Sequence, residues 1–338
     1  MGMKSKDLAE ITGVSTSTIS LILNNKPGVS DNKRKEIIEK IKELNCEYLL
    51  KADVAFQDNI GFVVFKRRGK IIDESPFFAY FLEGINSHVK QNGYNLTFIY
   101  MNKDMSVKEQ EQQIQSSGCK GMIIFAVEMI YEDLQAFKKS KLPFVILDNS
   151  FQINDVDAVA INNVQGIYKA IQYLVQLGHT KIGYIKSKVP INSFIERYNA
   201  FLMSLEKFNL PFNPEYVAEI GYSDVEMGRD MDFYLNNAKN LPTAFISDND
   251  FLACGVMRSI IENGYKIPDD ISIIGFDDRP ICSMVEPKMT TMAVPKNAFA
   301  NHVVDLLIEK LNNKRNYTIK IEVGTSLLVR GSVKRINP

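Results

Sequence analysis

Residues Lys6–Ser30 read KDLAEITGVSTSTISLILNNKPGVS, and this stretch fixes how the chain begins to fold. The spacing predicts a short helix over Lys6–Thr12, with Leu8, Ala9 and Ile11 facing inward and Gly13 ending it. A second helix starts at Val14-Ser15, turning Ile19 and Ile22 inward and Thr16, Ser17 and Ser20 outward. Ser30 is placed to cap a third helix, from Asp31 to about Leu44, which buries Ile37, Ile38, Ile41 and Leu44 at helical spacing. Ala9, Gly13 and Ile19 stand where a helix-turn-helix needs a small residue at the crossing, a tight turn and an apolar plug. Such a unit over residues 1–46 suits DNA. The same pattern also suits a three-helix bundle that contacts protein, and both readings stay open on the local residues.

Charge leaves that choice open. Residues 1–51 hold nine Lys or Arg against seven Asp or Glu, and the 338-residue chain is balanced at 40 against 40. A nucleic-acid contact must therefore be local, with Lys4, Lys6, Lys26 and the run Lys33-Arg34-Lys35 as its candidate phosphate partners. The four cysteines, Cys46, Cys119, Cys254 and Cys282, stand at no metal-ligand or redox spacing, which predicts reduced thiols in a cytoplasmic protein. The N-terminus lacks the apolar core of a secretory signal, and no apolar run is long enough for a membrane span.

From Ile60 the rhythm changes. Strand-like runs IGFVVF (60–65), NLTFIYM (95–101), GMIIFAV (121–127), PFVILD (143–148), KIGYIKS (181–187), TAFISD (243–248) and ISIIGFDD (271–278) alternate with amphipathic helices such as FFAYFLEGINSHVKQNGY (77–94). Continuous apolar strands between helices predict parallel sheets covered on both faces. The number of units predicts two similar lobes over residues 60–338. Several strands end in polar residues: Asp148-Asn149, Asp248-Asn249-Asp250 and Asp277-Asp278. In open α/β sheets the carboxyl ends of the strands border the ligand crevice, so these residues should converge on a cleft.

With these residues in view, the head resembles the DNA-binding domain of the lactose-repressor (LacI/GalR-type) family of bacterial regulators. Val14–Ser20 matches its VSxxTIS core, and the Asn-rich loop runs to a second Val-Ser at 29–30. LPFVILDNS, SFIERYNAF, PTAFISDNDFLACGVM, IPDDISIIGFDD and LLVRGSV follow in the family's order through the body. The resemblance implies an all-α helix-turn-helix domain on a two-lobed, periplasmic-binding-protein-like α/β body. It places the chain crossings between lobes near Asn162-Asn163, near Met289–Thr291 and just before Thr325. The lobes would then comprise about 60–162 with 292–322, and 163–291 with 323–338.

The resemblance also assigns sites. Thr16, Ser17 and Leu21 would face base edges, while Ser15, Thr18, Ser20 and Asn24 would mostly hold phosphates or the helix, beside Lys26, the phosphate candidate named by charge. Leu21 departs from the arginine that relatives often carry. The segment 47–59 is a short, atypical hinge without Pro-Asn or arginine, in which Leu49 or Leu50 would be the wedge for the minor groove. Phe77, Phe78, Asp148, Arg197, Asn249 and Asp277 would line the effector cleft. Carboxylates and an amide suit hydroxyls, arginine supplies a fork of donors, and aromatic rings stack on a sugar face. Asp250 is expected to cap the next helix.

The expected protein is a ligand-controlled regulator, most simply a repressor, acting as a homodimer on double-stranded operator DNA. Its effector would be a mono- or disaccharide by the resemblance, with a nucleoside or a sugar phosphate as the alternatives. No leucine heptad follows the body, so a dimer is expected over a tetramer, with contacts around Phe81–His88 and Tyr234. The alternative is a cytoplasmic sugar sensor whose altered head and hinge contact a protein partner. Catalysis has little support: His88, His179 and His302 sit beside no nucleophile motif, and no phosphate loop or HExxH occurs. No metal, cofactor or membrane partner is expected.

Overall fold

In the computed structural model, residues 3–336 are described except 25, 27, 45, 47–48, 51–57, 75 and 314. Most of the expected hinge at 47–59 therefore lies outside the described residues.

The head is three helices, α1 (Ser5–Thr12), α2 (Thr16–Leu23) and α3 (Asp31–Glu43). Gly13 takes a left-handed φ of 68°, which lets α1 turn directly into α2. Leu8, Ala9, Ile19, Ile22, Ile37, Ile38 and Ile41 form one core. Ile11, expected inside, is 48% exposed and stays outside this core. Leu44 is only partly buried at the edge of this core. Leu49 and Leu50 are also half-buried against it, so both candidate wedge residues pack on the head itself.

The body consists of two sheets, parallel throughout except for one edge strand of the second. The first has the order β11-β5-β4-β3-β1-β2, formed by β1 (Asp58–Lys66), β2 (Tyr94–Asn102), β3 (Cys119–Phe125), β4 (Phe144–Leu147), β5 (Ala158–Ile161) and β11 (Lys320–Val323). Its strands alternate sides within a continuous apolar run. Ile60, Phe62 and Val64 of β1 meet α5 (Leu82–Gln91) and α12 (Lys296–Asn312), while Val63 and Phe65 meet α6 (Val107–Ser116) and α7 (Gln135–Ser140). Burial on both faces is why these strands read as unbroken hydrophobic stretches.

The second sheet has the order β12-β10-β9-β8-β6-β7. It contains β6 (Ile182–Ser187), β7 (Val217–Ile220), β8 (Ala244–Ser247), β9 (Ser272–Asp277), β10 (Thr290–Ala293) and the antiparallel edge strand β12 (Ser326–Leu328). Helices α8 (Asn163–Gln176) and α9 (Asn192–Lys207) pack together, as do α10 (Asp224–Asn237) and α11 (Asp250–Glu262).

The chain passes between sheets at Asn162, at Val294-Pro295 and at Gly324-Thr325. The second passage lies beyond the expected Met289–Thr291. β10 stays in register with β9 from Thr290↔Ile274 to Ala293↔Asp277, which holds residues 292–293 in the second lobe. Two further expectations shift. Phe77–Tyr80 forms a 3₁₀ turn ahead of α5 rather than the start of the helix, and a short α4 (Lys70–Glu74) precedes it. Phe81, expected at a dimer contact, is only 1% exposed and packs edge-on against Phe299 and Phe77.

Candidate functional site

The head presents one polar surface. Ser15 is the N-cap of α2, accepting from Thr18 N at 3.1 Å, and its hydroxyl also meets Ser17 Oγ at 2.7 Å and Thr18 Oγ1 at 2.8 Å. Thr16, Ser17 and Ser20 are exposed on the outer face of α2, with Leu21 half-buried beside them. Asn24 turns its amide back on the helix, donating to Ser20 O at 2.8 Å. Lys26 is exposed, and its carbonyl accepts from Arg34 Nη2 at 2.5 Å. Lys33 pairs with Glu36 at 2.8 Å. Lys4, Lys6 and Lys35 are exposed around the same small domain.

The second polar concentration lies where the two sheets' carboxyl ends meet. Arg197 comes from the middle of α9 and is 3% exposed. Its Nε donates to Asn163 Oδ1 at 2.8 Å, its Nη1 to Asp248 O at 2.5 Å and its Nη2 to Asp277 Oδ1 at 3.4 Å. Asp277 ends β9 with a φ of 113° and also accepts from Arg279 Nε at 3.2 Å. The Arg279 guanidinium then lies 5.2 Å from the Phe77 ring and 6.0 Å from that of Tyr80, linking the second lobe to the first.

Asp148 ends β4 on the first lobe, with a φ of 64°. It is 7% exposed, and its carboxylate has no hydrogen-bond partner among the described residues. Burial pushes its pKa up to about 7; Arg197 opposes this, while Asp277 and Glu196 add to it. Asp248, which accepts from Tyr184 Oη at 2.7 Å and Ser187 N at 2.6 Å, is likewise raised by burial to about 7.

Of the six expected cleft residues, Asp148, Arg197, Asp277 and Phe77 are joined through contacts or through charge. Phe78 turns toward the first lobe's interior, with ring centroids 5.4 Å from Phe125 and 6.1 Å from Phe62. Asn249 is the N-cap of α11, accepting from Leu252 N at 3.0 Å and donating to Tyr222 Oη at 2.7 Å. The capping expected of Asp250 thus falls to Asn249. Asp250 is buried instead, accepting from Thr291 Oγ1 at 2.5 Å and Arg279 N at 2.8 Å.

Sequence reasoning missed Arg279, Glu196 and Glu128. Arg279 follows Asp277-Asp278 directly, and that adjacency was the available signal. Glu196 ties the lobes together: it accepts from Ser150 and Gln152 of the first, at 3.2 and 3.3 Å, and from Asn163 and Asn192 of the second, both at 2.7 Å. His179 makes a structural bridge, Nδ1 to Thr243 Oγ1 at 2.8 Å and Nε2 to Lys334 O at 3.0 Å. The four cysteines are buried and free. Among the described residues no group of His, Cys, Asp and Glu is placed to hold a metal ion, and no helix is long and apolar enough to cross a membrane.

A helix-turn-helix head on a two-lobed body with polar groups converging between the lobes defines a ligand-binding, DNA-binding regulator. Residues 5–47 match the lacI family of bacterial regulatory proteins, and residues 171–333 match the periplasmic binding protein-like domain. The chain belongs to the lacI family and is a DNA-binding transcriptional regulator. It is 30% identical over 336 residues to the HTH-type transcriptional repressor PurR of Mannheimia succiniciproducens, covering 98% of each chain. By fold it resembles the transcriptional regulator CelR in complex with cellobiose, with a TM-score of 0.73 at 19% identity over 98% of this chain and 99% of that one. It also resembles the lac repressor dimer bound to operator and the anti-inducer ONPF, with a TM-score of 0.72 at 22% identity over 99% of this chain and 100% of that one. The match of the head to regulatory proteins favours DNA over a protein partner.

Proposed function

We propose that the protein is a cytoplasmic repressor that grips a two-fold operator as a homodimer and is controlled by a small polyhydroxylated effector, a mono- or disaccharide. Residues 1–46 form the DNA-binding head, 47–59 the hinge and 60–338 the effector-binding body. In the head, Thr16, Ser17 and Leu21 face base edges. Ser15, Thr18, Ser20 and Asn24 hold the helix or phosphates, and Lys26 meets the backbone.

The observation that carries the effector reading is Asp148. Its carboxylate is largely buried, faces the charges of Arg197 and Arg279, and makes no hydrogen bond to another described residue, so it is free to accept from a ligand's hydroxyl. It stands beside the ion-paired Asp277, Arg197 and Arg279, with the rings of Phe77 and Tyr80 adjacent. Acceptors, planar donors and aromatic faces together match a sugar ring bearing several hydroxyls. Effector bound between the lobes favours one lobe arrangement over another. In a dimer this changes the spacing of the two α2 helices and so the affinity for operator.

Two measurements test this reading. Selection of the full-length protein on a random duplex library at moderate salt should enrich a near-palindrome with half-sites about one helical turn apart. Retention that is weak, salt-steep and without sequence preference would overturn it. The pH dependence of effector binding tests the cleft. A hydroxyl donates to the ionised form of Asp148, so affinity should rise with pH. With a pKa of about 7, the ionised fraction, and with it affinity, grows by about tenfold between roughly pH 6 and 8. Asp148→Asn should flatten that dependence. A parent titration equally tight across this range would place the ligand's donors elsewhere.

A further inference from the structure

α2 carries an unusual set of side chains for a base-reading helix. Its sequence, TSTISLIL, contains no Arg, Lys, Asn or Gln. Bidentate recognition of guanine needs a cationic fork or ammonium, and that of adenine needs a side-chain amide. Among the described residues the amide at the helix end, Asn24, is turned back onto Ser20 O at 2.8 Å. The Ser17 hydroxyl is engaged with Ser15 Oγ at 2.7 Å, within the N-cap network that also holds Thr18. The outer face at positions 16, 17, 20 and 21 is therefore left with the Thr16 and Ser20 hydroxyls and one large apolar side chain, Leu21.

Leu21 lies half-buried beside Gly28, where a Cβ added to that glycine would come 3.5 Å from Leu21 Cδ1. It stands one turn beyond Ser17 on the same face as Thr16 and Ser20, with Ile19, Ile22 and Leu23 buried behind. In the major groove the one apolar feature of a base edge is the C5-methyl group of thymine.

We propose that Leu21 determines operator specificity by packing on thymine methyls, so that each half-site carries an A·T pair recognised through its methyl group. This rests on reading α2 as the groove-facing helix of an operator-binding head. Affinity then comes mostly from the flanking lysines on phosphates, and discrimination from apolar contact and single hydroxyl bonds. Such a head is steeply salt-dependent and less selective than one with arginine at this position.

The test begins with the operator selected by the full-length protein. Each thymine of a half-site is replaced singly by deoxyuridine, which removes the methyl group alone, and the Kd is measured by fluorescence anisotropy. At one or two positions the affinity should fall by about fourfold, as expected for one buried methyl, and by about fifteenfold when both half-sites are substituted. Leu21→Ala should bind the thymine and deoxyuridine operators alike. The inference is overturned if no methyl deletion matters, or if a fixed G·C pair dominates and is relaxed by Lys26→Ala. Failure to select any operator would sink the operator reading itself. A selected operator indifferent to its methyl groups would sink only the role of Leu21.

Discussion

Asp277→Ala is expected to unfold the second lobe's cleft edge before it says anything about ligand recognition. The Asp277 side chain is 4% exposed, and it is the carboxylate paired with both Arg197 and Arg279, whose side chains are 3% and 5% exposed. Removing it leaves two buried guanidinium groups facing each other without that anion, and breaking a buried pair by deleting one partner costs about 3–5 kcal/mol. For a chain of this size that corresponds to a drop in melting temperature of roughly 4–7 °C. Asp277→Asn keeps an acceptor for both arginines and should lose clearly less. Thermal unfolding of the two variants without effector decides the point. An alanine variant melting within about 2 °C of the parent would mean that the two arginines find other partners. Loss of effector response in Asp277→Ala is therefore poor support for a ligand contact, whereas Asp148→Asn removes a carboxylate that makes no ion pair or hydrogen bond to a described side chain.

The contrast between these two aspartates shows what the sequence could and could not disclose. Both stand at the carboxyl ends of apolar strands, as the sequence pattern places them. Their chemistry depends on what faces them: Arg279 lies two residues from Asp277, while Arg197 lies 80 residues away on another element. The head was more legible because its determinants are local, namely Gly13 at a left-handed turn and isoleucines at helical spacing. The strands of both lobes were legible because burial on two faces leaves no polar alternation. The second crossing was misplaced because TTMA, β10, resembles a polar connection. Only its register with β9 keeps it in the second sheet. Asn249 and Asp250 are both good N-caps, and nothing in their order reveals that Thr291 draws Asp250 inward.

Glu128 is the most consequential residue that sequence reasoning passed over. It sits in AVEMI, just past β3, where a lone glutamate reads as a solvated loop residue, yet it is 6% exposed. Its Oε2 accepts the backbone amides of Arg67, Arg68 and Gly69 at 3.0, 2.8 and 2.8 Å. Its Oε1 accepts those of Ile71 and Ile72 at 2.9 and 3.4 Å. One carboxylate thus gathers the turn that carries the chain from β1 to Phe77 and Tyr80, the two rings facing Arg279. The same turn walls a side pocket of about 210 Å³ between the lobes, lined also by Tyr131, Asn149 and Ile191.

Glu128→Ala should leave five amide donors without their acceptor, and each buried donor left unmet costs about 1–3 kcal/mol before water enters. The expected net loss is about 3 kcal/mol of stability, with faster hydrogen exchange at Arg67–Ile72 and at least about tenfold weaker effector binding. Operator binding measured without effector should change little, because α1, α2 and α3 carry their own core. Glu128→Gln keeps one carbonyl oxygen but turns an amine toward backbone donors, so it should fall between parent and alanine. If exchange at Arg67–Ile72 in Glu128→Ala matched the parent, the turn would be held by its flanking packing at Ile71 and Ile72. The rings at Phe77 and Tyr80 would then owe their position to the first lobe's core.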